Sequence, residues 1–122
     1  NRRDTMIYKK SDALEIIKHG VRMHIYNTGE QCPQAAVVLQ ETAHGHGEEF
    51  LHEKSAFIYY IIEGSGTWII EDEEFMVSAT DVVIVPPGKR FYFRGALKQL
   101  CITAPAWEEQ FEKHIRDVDL SL

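Results

Sequence analysis

The pattern of apolar positions between residues 45 and 95 predicts two long β segments. They cover residues 53–70 and 81–93, and the acidic residues 71–74 join them as a turn. β-branched and aromatic side chains dominate both segments, and Gly and Pro bound them, which is typical of strands with one face against a core. The rest of the chain is interpreted as further strands laid against this pair, or as a helix packed outside it.

Shorter segments on both sides of the pair predict additional strands. Residues 21–27 alternate apolar and polar side chains, as a half-buried strand does. Residues 35–41 are rich in valine, and residues 97–104 are mostly apolar and end at a proline. We therefore expect an all-β domain of several antiparallel strands.

The C-terminal region predicts a short helix. Trp107, Phe111 and Ile115 recur at four-residue steps, which gives a helix one apolar stripe. This predicts a helix over about residues 106–117 that packs on the outside of the sheet. Residues 1–5 show no periodicity and are interpreted as an expression remnant or a disordered start, which leaves residues 6–122 as a single domain.

Composition narrows the classes of function. The chain has 122 residues, 44% of them hydrophobic, which suits one domain with a real core. A formal charge of −6 argues against nucleic-acid partners, which require a basic face. No apolar run approaches the roughly 20 residues that span a bilayer, and no secretory leader is visible, so we expect a cytoplasmic protein without a membrane partner. Cys32 and Cys101 are expected to be free thiols.

Two glycine-anchored motifs in the central stretch resemble those of the cupin superfamily. The first cupin motif, G-x5-H-x-H-x3-E-x6-G, matches the spacing from Gly45 to Gly64, and its three ligand positions hold Leu51, Glu53 and Phe57. The spacing of this motif is kept, but the residues that usually bind metal are replaced.

The second cupin motif, G-x5-P-x-G-x2-H-x3-N, falls on residues 80–95. Pro86 and Gly88 match it, whereas Thr80, Phe91 and Gly95 replace its first glycine, its histidine and its asparagine. The resemblance implies an all-β double-stranded β-helix, the cupin or jelly-roll barrel, with the short C-terminal α-helix added. It also implies a homodimer to which a strand over residues 6–10 contributes.

The resemblance and the alternation of strand side chains together give a set of candidate site residues. If Phe57, which replaces the motif glutamate, points inward as that glutamate does in metal-binding cupins, then Glu53, Tyr59 and Ile61 on the same face point inward too. Glu53 or His52 would then be a catalytic base. The expected substrate contacts are His46, Phe57, Tyr59, Ile61, Phe91 and Phe93.

A competing interpretation starts from three histidines within nine residues. A one-residue bulge before Phe57 would turn His52 inward, where His44 and His46 of the preceding loop could join it around a divalent transition metal. Without that bulge the motif positions offer no metal site, and no cofactor is expected.

Three functions of different classes follow from these alternatives. The first is a metal-independent domain that binds a small molecule in the barrel, either for binding alone or for isomerase, epimerase or lyase chemistry. The second is a divergent metal-dependent enzyme, a dioxygenase or sugar isomerase, with relocated histidine ligands. The third is an interaction module whose lumen is packed shut.

Overall fold

The computed structural model describes residues 6–121, and its regular structure is almost entirely β. Two 3-10 turns cover Lys10–Asp12 and Glu109–Phe111. Neither turn has the length or the apolar character of a helix that crosses a membrane, and no other helix occurs in residues 6–121. The strands of this part of the chain are β1 (Leu14–Lys18), β2 (Val21–Ile25), β3 (Ala36–Thr42), β4 (Glu48–His52), β5 (Ala56–Ile70), β6 (Glu73–Ser78), β7 (Val82–Val85), β8 (Phe91–Ala104) and β9 (Glu112–Asp117).

The two longest strands, β5 and β8, form the centre of the fold. They pair antiparallel from Ala56 opposite Ala104 to Ile70 opposite Phe91, with one register shift near Ile61. Strands β6 and β7 pair with the other edge of β5, and the remaining strands follow in the order β1-β2-β3-β8-β4-β9. The predicted all-β barrel is confirmed.

The core is an aromatic cluster between the strands. Trp68 and Phe93 are 0% and 1% exposed, and their rings stack with centroids 4.4 Å apart. Tyr59 packs edge-on against Trp68 at 5.4 Å. Aromatic side chains bury a large apolar area each, and such ring geometries add to that burial, so this cluster fixes how the long strands face one another.

The predicted C-terminal helix is wrong. After the 3-10 turn, residues 112–117 form β9, which pairs with β4 across a register shift. The backbone groups of β4 need partners on this edge, and pairing with β9 supplies them, which outweighs a local helical preference. The four-residue spacing therefore does not mark one face: Phe111 packs on His52 with centroids 6.1 Å apart, whereas Ile115 is 41% exposed.

Several predicted boundaries also change. The first long segment is broken at residues 53–55, and the second is broken between β7 and β8. Residues 6–9 have no regular structure within the chain and lead into the first 3-10 turn, so the strand over residues 6–10 does not pair inside the chain. Its expected pairing with the sheet of a second subunit stays a prediction. The interpretation of residues 1–5 concerns a segment outside the described residues.

Both motifs provide the backbone turns of the barrel. The glycines that anchor them have positive φ, for example 118° at Gly45 and 92° at Gly64. A side chain at Gly45 would collide with the backbone of Phe93, so only glycine fits this close approach. Thr80, which replaces a motif glycine, has a φ of 79°. The turn thus keeps the glycine conformation without the glycine.

Candidate functional site

A cavity of about 330 Å³ opens into the barrel. This volume is near the lower end of the roughly 300–1,000 Å³ typical of small-molecule sites. The hypothesis of a lumen packed shut is therefore wrong. Apolar side chains form most of its wall; they come from β1, β2 and β3 (Leu14, Ile16, Met23, Ile25 and Val38) and from β4 and β5 (Phe50, Phe57 and Tyr59).

His46 is held at the cavity by backbone hydrogen bonds. It lies in the loop between β3 and β4, where its own N–H donates to the Phe93 carbonyl at 2.9 Å. Its ring Nδ1 lies 2.8 Å from the Glu48 carbonyl oxygen. Because a carbonyl oxygen only accepts, Nδ1 carries the proton and Nε2 has a free lone pair. No hydrogen bond within residues 6–121 involves that Nε2.

The environment of His46 keeps its ring neutral. The residue is 5% exposed, and its ring contacts those of Phe50 and Phe93 at 5.0 and 5.7 Å. Burial lowers the pKa of His46 from its usual value of 6.5, and the neighbouring His19 adds to the effect. The bond to the Glu48 carbonyl opposes that shift. A neutral imidazole with an open Nε2 suits a general base near neutral pH.

Tyr59 supplies a hydroxyl to the same cavity. The residue is 1% exposed, and burial raises the pKa of its hydroxyl well above the usual value, with a further contribution from Cys101. Cys101 lies opposite Tyr59 in the pairing of β5 and β8, and burial raises the pKa of its thiol to about 12. A thiol sulfur is a weak acceptor, so a ligand oxygen would be the stronger partner for the Tyr59 hydroxyl. Tyr59 stays protonated and is suited to hydrogen-bonding a ligand carbonyl.

The cavity also contacts a charged and aromatic cluster formed by Lys18, Trp107 and Glu112. The Trp107 indole N–H donates to the Glu112 carboxylate at 2.9 Å, and Lys18 Nζ lies 3.3 Å from the other carboxylate oxygen. Lys18 also lies over the Trp107 ring at 5.6 Å. The three side chains hold one another in place and give the cavity polar groups and an aromatic face.

Two glutamines form a polar pair in the barrel interior. Gln40 of β3 lines the cavity, and Gln99 of β8 lies directly opposite it in the strand pairing. The Gln99 side-chain amide donates to Gln40 Oε1 at 2.8 Å. A fixed amide in a largely apolar wall gives the cavity a directional polar contact.

The structure brings three of the expected substrate contacts together at the cavity, namely His46, Phe57 and Tyr59. Phe91 and Phe93 point inward as expected, but they pack in the core, as Ile61 does, and do not line the cavity. Phe91 supports the wall from behind, with its ring 4.6 Å from that of Phe50 and 5.6 Å from that of Phe57.

Glu53 does not point into the barrel, contrary to the expectation. It follows β4 in the short break before β5, where the alternation of a continuous strand no longer applies. Its side chain is 53% exposed, and its carboxylate lies 3.9 Å from Lys113 Nζ. A hydrated carboxylate paired with lysine outside the cavity is not placed to act as a base there.

His52 is buried, but both ring nitrogens are bonded to backbone. Its Nε2 donates to the Glu108 carbonyl at 3.0 Å, and its Nδ1 accepts from the Ser55 N–H at 2.8 Å. The imidazole therefore holds the β4–β5 break against the segment before β9. It does not line the cavity and has no free nitrogen for a substrate proton.

The residues at the cupin metal positions do not fit a metal ion. Leu51, Phe57 and Phe91 offer no nitrogen, oxygen or sulfur ligand, and Glu53 lies outside. The relocated site of three histidines is not assembled either, because His44 is exposed, while His52 is engaged as described. Within residues 6–121 no three His, Cys, Asp or Glu side chains are arranged to hold a metal.

Sequence reasoning missed Gln40, Gln99, Cys101 and the cluster of Lys18, Trp107 and Glu112. A signal existed for the two glutamines, since each interrupts an otherwise apolar alternation on its strand. The cluster gave no such signal, because its members come from β1 and from the segment that was interpreted as a helix.

These features define a small β-barrel with an aromatic-walled cavity. The sequence model of the cupin domain family matches residues 35–102, which is more than half of the chain. The chain belongs to the cupin superfamily. A comparison with curated proteins finds no match.

Solved structures similar to this chain include those of Streptomyces PAC13. Two variants of that protein were solved with uridine, one with a His-to-Gln and one with a Tyr-to-Phe substitution. Each is 31% identical to this chain with a TM-score of 0.91. The similarity covers 96% of this chain and, respectively, 96% and 95% of the two variant chains. A further structure, at 32% identity over 96% of each chain and a TM-score of 0.91, describes Pac13 as "a unique nucleoside dehydratase". KdgF from Halomonas sp. shares the fold alone, at 15% identity over 87% of this chain and 98% of that one, with a TM-score of 0.73.

Proposed function

We propose that this protein binds a pyrimidine nucleoside in the barrel cavity and removes water from it by acid–base chemistry, without a metal ion. The observation that carries the proposal is the open Nε2 of neutral His46 in the same aromatic cavity as the Tyr59 hydroxyl. A base, a hydrogen-bond donor and a water-poor wall are what such an elimination requires.

The proposed reaction begins with proton abstraction. An imidazole can remove a proton from carbon only where a neighbouring carbonyl acidifies the C–H bond, so the substrate carries a carbonyl group. His46 Nε2 takes this proton, and the electron pair moves toward the carbonyl oxygen to give an enolate. The Tyr59 hydroxyl donates to that oxygen, where it stabilises the developing charge.

Loss of the hydroxyl group completes the reaction. The enolate electrons form a C=C bond to the next carbon, and the C–O bond to the hydroxyl there breaks. The leaving hydroxyl takes the proton from His46 Nε2–H and departs as water. His46 returns to its starting form, and no oxidant or reductant is consumed. The reaction belongs to the lyase class, which is one of the alternatives that the sequence left open beside isomerase, epimerase and pure binding.

Similarity to Streptomyces PAC13 supports the choice of ligand. The variants of that protein solved with uridine change a histidine or a tyrosine, and the cavity here is lined by one histidine and one tyrosine among the described residues. Polar contacts from Gln40 and the aromatic face of Trp107 suit a nucleobase, which has hydrogen-bonding edges and a flat ring.

Binding is tested by titrating uridine into the protein in a calorimeter. We expect saturable binding that raises the Tm, and weaker binding for Tyr59→Phe than for Tyr60→Phe, because Tyr60 is 42% exposed and outside the cavity. His44→Gln is the matched control for His46→Gln. The absence of any uridine binding would contradict the proposal.

Catalysis is tested with nucleosides that carry a carbonyl group on the sugar, with loss of water followed by mass spectrometry. We expect His46→Gln to lower the rate about 10²- to 10⁴-fold, the range for removal of a general base. For Tyr59→Phe we expect the rate to fall about 10²- to 10³-fold, the range for removal of one oxyanion donor. Binding without water loss from any of these compounds would contradict the dehydratase part of the proposal.

Metal analysis of protein purified without chelator tests the proposed metal independence. We expect turnover without stoichiometric iron, manganese, zinc or nickel. A stoichiometric metal whose removal abolishes turnover, and whose return restores it, would favour the metal-dependent alternative.

A further inference from the structure

The Gln40–Gln99 pair is a buried polar contact between β3 and β8 that the proposed reaction does not use. Gln40 is 6% exposed and Gln99 is 0% exposed. Amides buried in an apolar wall cost free energy unless hydrogen bonds compensate them. The hydrogen bond between the two amides compensates part of this cost. Gln99 Oε1 has no partner in the part of the chain that the structure describes.

The hydrogen bond sets which end of the Gln40 amide faces the cavity. Gln99 Nε2 donates to Gln40 Oε1 at 2.8 Å, so the Gln40 oxygen is occupied. The Gln40 amino group makes no hydrogen bond within residues 6–121, and its residue lines the cavity. The pair therefore offers the ligand a donor and withholds an acceptor.

Burial of Gln99 favours this direction over the reverse one. If Gln40 donated to Gln99 Oε1 instead, both N–H groups of Gln99 would be left without an acceptor in a position with no solvent access. Buried donors without partners are rarer in proteins than under-satisfied acceptors. The observed direction pairs one of these N–H groups and leaves the other N–H and the acceptor Gln99 Oε1 unpaired among the described residues. Gln99 thus fixes the orientation of Gln40 although it does not line the cavity itself.

We propose that Gln40 is a specificity-determining residue that donates to the 4-carbonyl of a uracil base, and that Gln99 is the residue that positions it. The inference rests on the proposed function and names the base. Uracil has a carbonyl acceptor at position 4, where cytosine has an amino donor. A fixed N–H donor at this place pairs with the carbonyl of uracil. It disfavours cytosine, because two donors that face each other are both left without an acceptor.

The expected selectivity is measurable as a ratio of dissociation constants. Wild-type protein should bind uridine about 10- to 100-fold more tightly than cytidine, the range for one unsatisfied buried hydrogen bond. In Gln99→Met, the Gln40 amide is free to turn over and present its oxygen, so the ratio should fall toward one while both nucleosides still bind. In Gln40→Met, the donor is lost and uridine should lose its advantage.

Calorimetric titration of uridine and cytidine into wild type, Gln99→Met and Gln40→Met tests the proposal. Gln110→Met is the matched control, because Gln110 is exposed outside the cavity, and its ratio should equal that of wild type. Gln99→Leu replaces Gln99→Met if the latter does not fold, as judged by its Tm. If Gln99 had a merely structural role, Gln99→Met would weaken the binding of both nucleosides equally and leave the ratio of their dissociation constants unchanged. That result would overturn the inference.

The outcomes separate this inference from the function on which it rests. Wild type that binds uridine and cytidine equally would overturn the role of Gln40 and leave nucleoside binding intact. Wild type that binds neither nucleoside would overturn the proposed function, and the assignment of Gln40 with it.

Discussion

Thr80 illustrates at the scale of one residue how the barrel tolerates a departure from its motif. A φ of 79° is a genuine outlier for a β-branched residue, whereas glycine adopts it without steric cost. The neighbouring contacts of the turn hold Thr80 there, since the Thr80 N–H donates to the Ile61 carbonyl at 2.8 Å. The surrounding strands thus impose the conformation on a residue that disfavours it.

Thr80→Gly is expected to stabilise the protein. Relief of about 1–3 kcal/mol of backbone strain, less the roughly 0.4–1 kcal/mol that glycine costs through the freedom of the unfolded chain, should raise the free energy of unfolding by about 1 kcal/mol, measured by urea denaturation. The control is Ala79→Gly, since Ala79 does not have a positive φ and glycine there should cost about 0.4–1 kcal/mol through the added freedom of the unfolded chain. Equal effects of the two substitutions would show that Thr80 is not strained.

His46 determines the expected pH dependence of turnover. Its pKa in the folded protein is lowered below 6.5 by burial, so the neutral base persists at a pH where an exposed histidine is already protonated. As the pH falls through this lowered pKa, the base is lost and kcat/KM should decline. A pH profile with a uridine-derived substrate should therefore show its acidic midpoint below pH 6.5. A midpoint above 6.5 would exclude His46 as the base.

At the scale of elements, β9 decides the shape of the C-terminal region. Its residues reach back to β4, where Glu49 is 1% exposed between two arginines. Arg90 Nη1 and Arg116 Nε each lie 2.8 Å from a different oxygen of the Glu49 carboxylate. Arg90 also binds Asp72 of the turn between β5 and β6. One buried carboxylate therefore links β9, β4 and the start of β8.

Glu49→Gln is expected to destabilise the protein. It removes the negative charge between two arginines, and hydrogen bonds to charged groups contribute about 1.5–3 kcal/mol each in buried settings. We expect a loss of about 1.5–3 kcal/mol in the free energy of unfolding, measured by urea denaturation. The control is Glu53→Gln, which makes the same chemical change where the side chain is 53% exposed. The exposed ion pair of Glu53 with Lys113, at 3.9 Å, should contribute less than about 1 kcal/mol to the free energy of unfolding.

At the scale of the whole molecule, one outer face of the sheet is apolar and uncovered. Val82 and Ile84 of β7 are 56% and 60% exposed, and Tyr60 and Ile62 of the adjacent β5 are 42% and 39% exposed. Contiguous apolar patches of this kind often mark protein contacts. The homodimer inferred from the cupin resemblance stays a prediction, as does the cytoplasmic location, and this face offers a surface for the former.

Ile84→Lys tests the predicted dimer. The lysine ammonium would be desolvated in the middle of an apolar contact, which costs free energy. We therefore expect a shift from dimer to monomer in sedimentation velocity at equal protein concentration. The control is Met76→Lys, because Met76 is 88% exposed on β6, at the other end of β5. A wild-type protein that sediments as a monomer at all concentrations would contradict the predicted dimer.

The sequence alone determined the fold class and three of the side chains at the cavity, namely His46, Phe57 and Tyr59. The motif spacing identified the barrel because its turns need particular backbone conformations, which a few residues reveal locally. Alternation correctly turned Phe57, Tyr59, Phe91 and Phe93 inward, since side-chain direction within a continuous strand repeats every two residues.

The tertiary structure decided the rest. Glu53 points out of the barrel because the strand is interrupted beside it, between β4 and β5. Residues 112–117 form β9 because an edge of β4 is available to pair with them. The contact between Gln40 and Gln99 joins residues 59 positions apart. Local sequence encodes turns and alternation, whereas strand breaks, edge pairing and cross-strand contacts depend on which distant segments meet.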